Sequence, residues 1–343
     1  MRLENGPGSA NRNRVQVIAE AGQCHEGDFK RALRMIDEAA DGLASAIKFQ
    51  LLQPHTIAAP SAPKYWRHGD DLDQRGVFLR NGLLPYRAHI DLADAAEQVG
   101  IQLIGTPFDV DAVDVLAEIG NPIKIASGDI TNSLLLDAVA DTGLPVILST
   151  GAATLPEIHA ARRRLTPCAE VILLACSLQY PTPPEHAALG RIRTLLFEFG
   201  GRVGYSDHTL DTWAAGPAVA MGATVLEKHF TVDGWSKPVP DHDMALVGVD
   251  ELLLYKATAE MAAAAVQIDW LEPHPGEGPA AVGARRSWYA TADLPAGAVL
   301  TVDNVAPLRP LHPDALDAAE SVLGAVVGAA VAYGDPITPG MIR

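Results

Sequence analysis

The stretch QLIGTPFDVDAVDVLAEIGNPIKIASGDITNSLLLDAVADTGLPVILS, residues 102–149, alternates two kinds of segment. Short apolar runs at 102–105 (QLIG), 123–125 (IKI) and 146–149 (VILS) have the length of strands. The segments between them, near 110–119 and 131–142, read as helices, and Gly120 and Gly143 stand at their ends, where a left-handed cap is useful. Strands separated by helices are parallel strands with helical crossovers.

The same rhythm extends in both directions. Upstream, 15–19 (VQVIA) and 46–49 read as strands and 28–41 as a helix, with Ala32, Leu33, Ile36 and Ala39 at helical spacing. Residues 51–85 read as irregular, and a helix follows near 86–99. Downstream, strands are expected at 170–174, 203–206 and 224–229, and helices near 153–164, 187–199, 210–221 and 248–266. Eight strand–helix units point to a closed (β/α)8 barrel over residues 15–269, with a doubly wound open sheet as the alternative. Residues 1–14 read as a mobile tail and 270–283, rich in proline and glycine, as a linker. Residues 284–343 show short alternating strands with turn signals, a small β-rich module too small to be robust alone.

Composition narrows the function. Hydrophobic residues make up 48% of the 343, enough for a large core. The net charge of -16 argues against nucleic acid as the partner, while leaving room for a small anion held by a few buried cations. Three cysteines, Cys24, Cys168 and Cys176, do not make a disulfide framework and suit a reducing cytoplasm. No apolar signal segment and no run of about 18 apolar residues occurs, so no membrane partner is expected.

Barrel chemistry sits at the C-terminal ends of the strands. Those ends carry Glu20, Gly22 and His25; Lys48 and Gln50; Thr106 and Asp109; Lys124, Ser127 and Asp129; Ser149; Tyr180; Ser206 and His208; and Glu227, Lys228 and His229. Two lysines, several serines and glycine turns on one rim suit an oxyanion or phosphate. His208 and His229, on neighbouring strands, could ligate one divalent metal, with Asp241 and His242 in the following loop. Either histidine alone could equally be a hydrogen-bonded structural residue, and the Ser-Gly turns no more than turns.

In that order the chain reads IAEAGQCHEG, IKFQ, GTPFD, IKIASGDI, VILSTG, YPTP, GYSDHTL and LEKHFT, and these segments resemble the N-acetylneuraminate (sialic acid) synthase family with its legionaminic and pseudaminic acid synthases. RRSWYATADLPAGAVLTVDNVAPLRP, residues 285–310, resembles the SAF (antifreeze-like) domain that follows the barrel there. The resemblance implies a metal-dependent condensation of phosphoenolpyruvate with an open-chain sugar aldehyde, giving a 2-keto-3-deoxy acid and phosphate, in a domain-swapped homodimer. It implies His208 and His229 as ligands of Mn2+ or Mg2+. Lys124, Ser127, Ser149 and Ser206 would hold phosphoenolpyruvate, with Lys48, Gln50, Thr106 and Asp129 around the same site. Glu20 would handle water or a proton, Asp241 would lie near metal and acceptor, and Tyr180 and Arg309 would meet the acceptor, Arg309 from the partner subunit.

The sequence departs from the family pattern at Cys24, Asp129, Ala152, Ala175, Leu178 and Val239, which points to an acceptor other than N-acetylmannosamine. Three other readings compete: a synthase acting on a phosphorylated aldehyde, a non-catalytic carbohydrate-binding protein, and a Schiff-base aldolase using Lys124 or Lys228.

Overall fold

A computed structural model describes residues 15–66, 73–232, 240–267, 271–318 and 320–343. The expected tail at 1–14 and Val239 lie outside these. The chain divides into two compact units, one ending at residue 268 and the other beginning at residue 269.

The first unit runs β1 (Gln16–Gly22), α1 (Phe29–Asp41), β2 (Ala46–Leu51), α2 (Pro54–Ile57), α3 (Gln74–Asn81), α4 (Ala88–Gln98), β3 (Gln102–Pro107), α5 (Val110–Ile119), β4 (Ile123–Ile125), α6 (Ser133–Thr142), β5 (Val146–Ser149), α7 (Leu155–Arg164), β6 (Val171–Cys176), α8 (Gly190–Phe199), β7 (Val203–Asp207), α9 (Ala215–Ala220), β8 (Val225–Thr231), β9 (Leu246–Val247) and α10 (Gly248–Ala265). Strands β1 to β8 pair in parallel in sequence order, and β8 pairs back onto β1 with Gln16 opposite Val225 and Glu20 opposite His229. The sheet is therefore a closed barrel, and the open-sheet alternative falls.

The local reasons are ordinary. Asp109 caps α5 by accepting from Ala112 N at 2.9 Å, and Gly120 ends that helix with φ 77°. Asn132 and Gly143 (φ 66°) do the same for α6. The irregular reading of 51–85 needs correction, because α2 and α3 form there. Pro54 starts α2 and the Asp73 side chain caps α3, but both helices are too short to show a 3.6-residue stripe.

Side chains on successive strand residues point to opposite faces. One face of each strand packs against the helices in a large apolar layer that includes Val17, Ile47, Leu103, Leu148, Leu173 and Tyr205. The other face fills the barrel interior. Ile18, Ala46, Ile104, Ile147, Ile172, Leu174 and Val225 form an apolar plug there. Two residues further along the same faces the side chains turn polar: Glu20, Lys48, Thr106, Ser149 and Glu227. The barrel thus has a dry floor with a buried polar layer above it, at the C-terminal ends of the strands.

The second unit contains α11 (Gly278–Ala284), an antiparallel pair β10 (Ser287–Ala290) and β11 (Val305–Leu308), and a core built on Leu294, Leu300, Val305, Val322, Val327 and Ile337. The stretch expected as linker carries α11 over most of its second half. Residues 322–343 make isolated bridges such as Val299–Val326 rather than regular strands, because Gly324, Gly328, Gly334, Pro336 and Pro339 break any ladder within a few residues.

Candidate active site

The C-terminal mouth of the barrel opens into a cavity with about 1120 Å3 of empty space, its opening to solvent included. Glu20, Lys48, Gln50, Thr106, Lys124, Ser127, Asp129, Ser149, Tyr180, Ser206, His208, His229 and Asp241 all line it. Arg309 belongs to the second unit, before a cis peptide bond to Pro310. Among the described residues no helix is long and apolar enough to cross a membrane.

The floor of the cavity is a chain of buried charges. Lys48 Nζ lies 2.7 Å from Glu20 Oε2 and donates to Thr106 Oγ1 at 2.9 Å. Gln50 Nε2 donates to Glu20 Oε1 at 3.0 Å, so the Glu20 carboxylate is held at both oxygens. Glu227 accepts from Ser206 Oγ at 2.9 Å and stands 3.8 Å from Lys48 Nζ and 3.9 Å from Lys124 Nζ. Burial alone would raise the Glu227 carboxyl, but Lys124, Lys48 and the Ser206 hydroxyl outweigh it and hold it down to about 2. Burial lowers Lys124, which Glu227 only partly offsets. Burial also opposes charge on Lys48, yet Glu20 and Glu227 overcome it and its ammonium is held above the usual range. Both ammonium groups reach Glu227 at more than 3.5 Å, and the buried Ser149 Oγ has no hydrogen-bond partner. Lys124 Nζ also donates to the Ile125 carbonyl at 3.0 Å, so a compact anion entering this floor would meet two ammonium groups that already face Glu20 and Glu227, together with one unpaired hydroxyl.

The histidine pair stands two residues beyond Ser206 and Glu227, on the same faces of β7 and β8. The rings of His208 and His229 lie 5.7 Å apart between centroids, and Tyr180 stacks at 4.4 Å from His208. His208 Nδ1 sits 2.7 Å from the Ser177 carbonyl and must carry the proton it donates there, which leaves Nε2 as a lone pair. Burial, followed by the neighbouring His229, pushes the His208 imidazole down to about 3. His229 Nδ1 is buried with no hydrogen-bond partner, 3.8 Å from Asp241 Oδ1. Asp241 is fixed by the backbone N–H of Gln23, which donates to Oδ2 at 3.1 Å. Among the described residues no group of three or more His, Cys, Asp or Glu side chains is placed to hold a metal. A neutral imidazole with a free Nε2, beside a second imidazole whose Nδ1 is unpaired, nevertheless fits a divalent cation with two protein ligands and its remaining positions open.

Asp109, His25 and Lys228 serve the fold rather than the cavity. Asp109 is the cap of α5 and also accepts from Tyr86 Oη and Thr56 Oγ1. His25 is a buried turn residue whose Nδ1 accepts from Gly27 N at 3.0 Å. Lys228, the alternative Schiff-base lysine, is outside the cavity and paired with Asp207. Of the departures from the family pattern, Cys24 and Ala175 are packed in the core, and Leu178 lines the cavity.

Two features escaped the sequence reading. Glu227 stood on a strand with no role assigned, although the spacing of Glu227 and His229 puts both on one face. The outer wall of the cavity, formed by Ile57, Tyr65, Trp66, Val77, Phe78 and Phe108, comes largely from the stretch that carries no legible periodicity.

Known proteins resemble this chain in sequence and fold. Residues 35–266 match the NeuB family and residues 285–343 match the SAF domain. The N,N'-diacetyllegionaminic acid synthase of Legionella pneumophila is 33% identical over 86% of this chain and 85% of its own length. The enzyme of that name from Campylobacter jejuni is 38% identical over 67% of this chain and 71% of its own. A crystal structure of the N-acetylneuraminic acid (sialic acid) synthetase of Leptospira borgpetersenii, in complex with citrate, superposes with a TM-score of 0.69 at 35% identity, covering 80% of this chain and 94% of the other.

Proposed function

The chain belongs to the NeuB family, and from that membership we propose that it joins carbon 3 of phosphoenolpyruvate to the aldehyde carbon of an open-chain acylamino sugar. Water adds at carbon 2 and phosphate departs by cleavage of its carbon–oxygen bond, so the product is a 2-keto-3-deoxy acid. The reading rests above all on one observation: Lys48, Lys124, Ser149 and Ser206 line one cavity together with the His208–His229 pair.

In this reading Lys48, Lys124, Ser127, Ser149 and Ser206 hold the carboxylate and phosphate of phosphoenolpyruvate, with Thr106 orienting Lys48 and Asp129 bordering the same floor. Their fixed donors lower the cost of charge that develops as phosphate leaves. Glu20, clamped by Lys48 and Gln50, is the carboxylate placed to move a proton to or from water. His208 and His229 hold a divalent cation, Mn2+ or Mg2+, which when bound supplies Lewis-acid polarisation of the acceptor aldehyde. Asp241 and Tyr180 line the acceptor side. There the surface is largely aromatic and aliphatic, with Leu178 added, which suits acylamino and deoxy substituents better than a hydroxyl-rich tail. Arg309 contributes from the second unit of a partner copy in a domain-swapped homodimer; this part rests on the family resemblance alone. Three free thiols are in keeping with a reducing cytoplasm.

The test is free phosphate released from phosphoenolpyruvate with Mn2+ and a panel of aldehyde sugars, phosphorylated and not, each with a chelator control. Release that needs both an unphosphorylated acylamino sugar and metal is the expected result. Release only with phosphorylated aldehydes, or none dependent on an acceptor, would refute it.

A further inference from the structure

Asp207 and Lys228 form an ion pair that the reaction above does not use. Both side chains are 0% exposed, and Lys228 Nζ stands 3.5 Å from Asp207 Oδ2. Neither lines the cavity. Alternation along β7 and β8 sends Ser206, His208, Glu227 and His229 inward, and Asp207 and Lys228 outward toward the helices. Tyr255 of α10 meets them there, its hydroxyl donating to Asp207 Oδ2 at 3.1 Å.

A buried ion pair is a poor source of stability, since desolvating two charges costs about as much as their attraction returns; its better-attested use is to fix a register. The location of this pair is specific. Asp207 and Lys228 are direct register partners across β7 and β8, and each immediately precedes one of the two histidines. Beyond His208 the chain is tied back to the same pair. Asp207 Oδ1 accepts from Thr209 N at 2.8 Å and from Thr209 Oγ1 at 2.7 Å, and Lys228 Nζ donates to the Thr209 carbonyl. His208 is thus enclosed in a loop closed at 207 and 209, its own carbonyl accepting from Thr182 N at 2.7 Å.

We propose that the buried Asp207–Lys228–Tyr255 network is a positioning clamp that sets the spacing of His208 and His229 for the cation they share. The proposal rests on the reading of those histidines as cation ligands. Asp207, Lys228 and Tyr255 are positioning residues: they touch neither substrate nor cation and act through the backbone on either side of the two imidazoles.

The experiment is direct Mn2+ titration by electron paramagnetic resonance on the full chain, paired with phosphoenolpyruvate binding by calorimetry in chelator and with thermal melting. The variants are Lys228→Met, Tyr255→Phe and, as reference, His208→Ala. Groups bonded directly to a ligating ring are typically worth roughly 10- to 100-fold in affinity, which sets the ceiling for a clamp one residue removed. Lys228→Met is therefore expected to weaken Mn2+ binding by about 10-fold. Tyr255→Phe, which removes one hydrogen bond and keeps the packing, should weaken it several-fold. Phosphoenolpyruvate affinity should stay within about twofold of wild type in both variants, since the lysines of the floor stand on other positions. A folded variant that keeps wild-type Mn2+ affinity would overturn the clamp, as would a parallel loss of both ligands, the mark of a merely structural role. If wild type binds no Mn2+, or His208→Ala binds it as well as wild type, the cation reading itself falls and the clamp with it. Should Lys228→Met fail to fold, Tyr255→Phe decides on its own.

Discussion

Gly22 ends β1 with φ 51°, and a Cβ built there would lie 2.2 Å from Asp241 Oδ2 and 3.6 Å from Gln50 Nε2. Real Cβ contacts do not fall below 3.0 Å, so Gly22→Ala must drive the Asp241 carboxylate back by at least ~0.8 Å. That breaks the 3.1 Å bond from the backbone N–H of Gln23 and moves the carboxylate relative to His229. The backbone cost is modest, about 1–2 kcal/mol for an L-residue held in the left-handed region, or a melting temperature lower by several degrees. The catalytic cost is expected to be larger, since displacing a group by about 1 Å can cost roughly 100-fold. A double-mutant cycle in kcat/KM separates the two routes. If Gly22 serves only to make room for Asp241, Gly22→Ala costs about 100-fold in wild type and less than about threefold in an Asp241→Ala background. Losses that multiply in the double variant, or a Gly22→Ala enzyme with wild-type kcat/KM, would refute the reasoning.

Other outcomes follow from the buried charges and thiols. Lys124→Met should weaken phosphoenolpyruvate binding by at least about 10-fold in calorimetry, because one of two buried cations facing the anion is lost. Glu227 has a folded carboxyl held at about 2 against an ordinary 4.5, so its stabilisation is complete above pH 4.5 and is lost as pH falls from there through about 2. Urea melts of Glu227→Gln should therefore show a shallower loss of stability across that window, together with a lower stability at pH 7 by about 3 kcal/mol, chiefly because the buried Lys124 loses its carboxylate partner while Lys48 keeps Glu20. Burial raises all three thiols, completely so at Cys24 and Cys176, whereas Cys168 is only partly covered. Titration of the native protein with a thiol reagent should modify Cys168 first, with Cys24 and Cys176 reacting only on unfolding.

The barrel was legible because its strands are short apolar runs and most of the segments between them are long enough to show a helical period. Ile123–Ile125 and Val146–Ser149 were read to the residue. The polar layer was legible for the same reason: Glu20, Lys48, Thr106 and Ser149 each stand two residues beyond an apolar plug residue on the same face. Residues 51–85 were not legible. Helices of four and eight residues carry too little periodicity, and the aromatic wall formed by Tyr65, Trp66 and Phe78 is assembled by tertiary contact, with Trp66 and Phe78 rings 6.1 Å apart. Glu227 was visible in LEKH but lacked a partner in sequence, since Ser206, Lys48 and Lys124 reach it from three other strands. Asp109, a strand-end acid given no role in the sequence reading, is accounted for as the cap of α5.

The most direct measurement follows carbon 3 itself. Purified protein would be incubated with phosphoenolpyruvate labelled with 13C at that carbon, Mn2+ and an unphosphorylated acylamino aldose, and the label followed by NMR. The expected result is conversion of the vinyl carbon into the methylene carbon of a 2-keto-3-deoxy acid, one phosphate appearing per product formed. A label that stays vinylic, or that appears as the methyl carbon of pyruvate, would contradict carbon–carbon bond formation at this site.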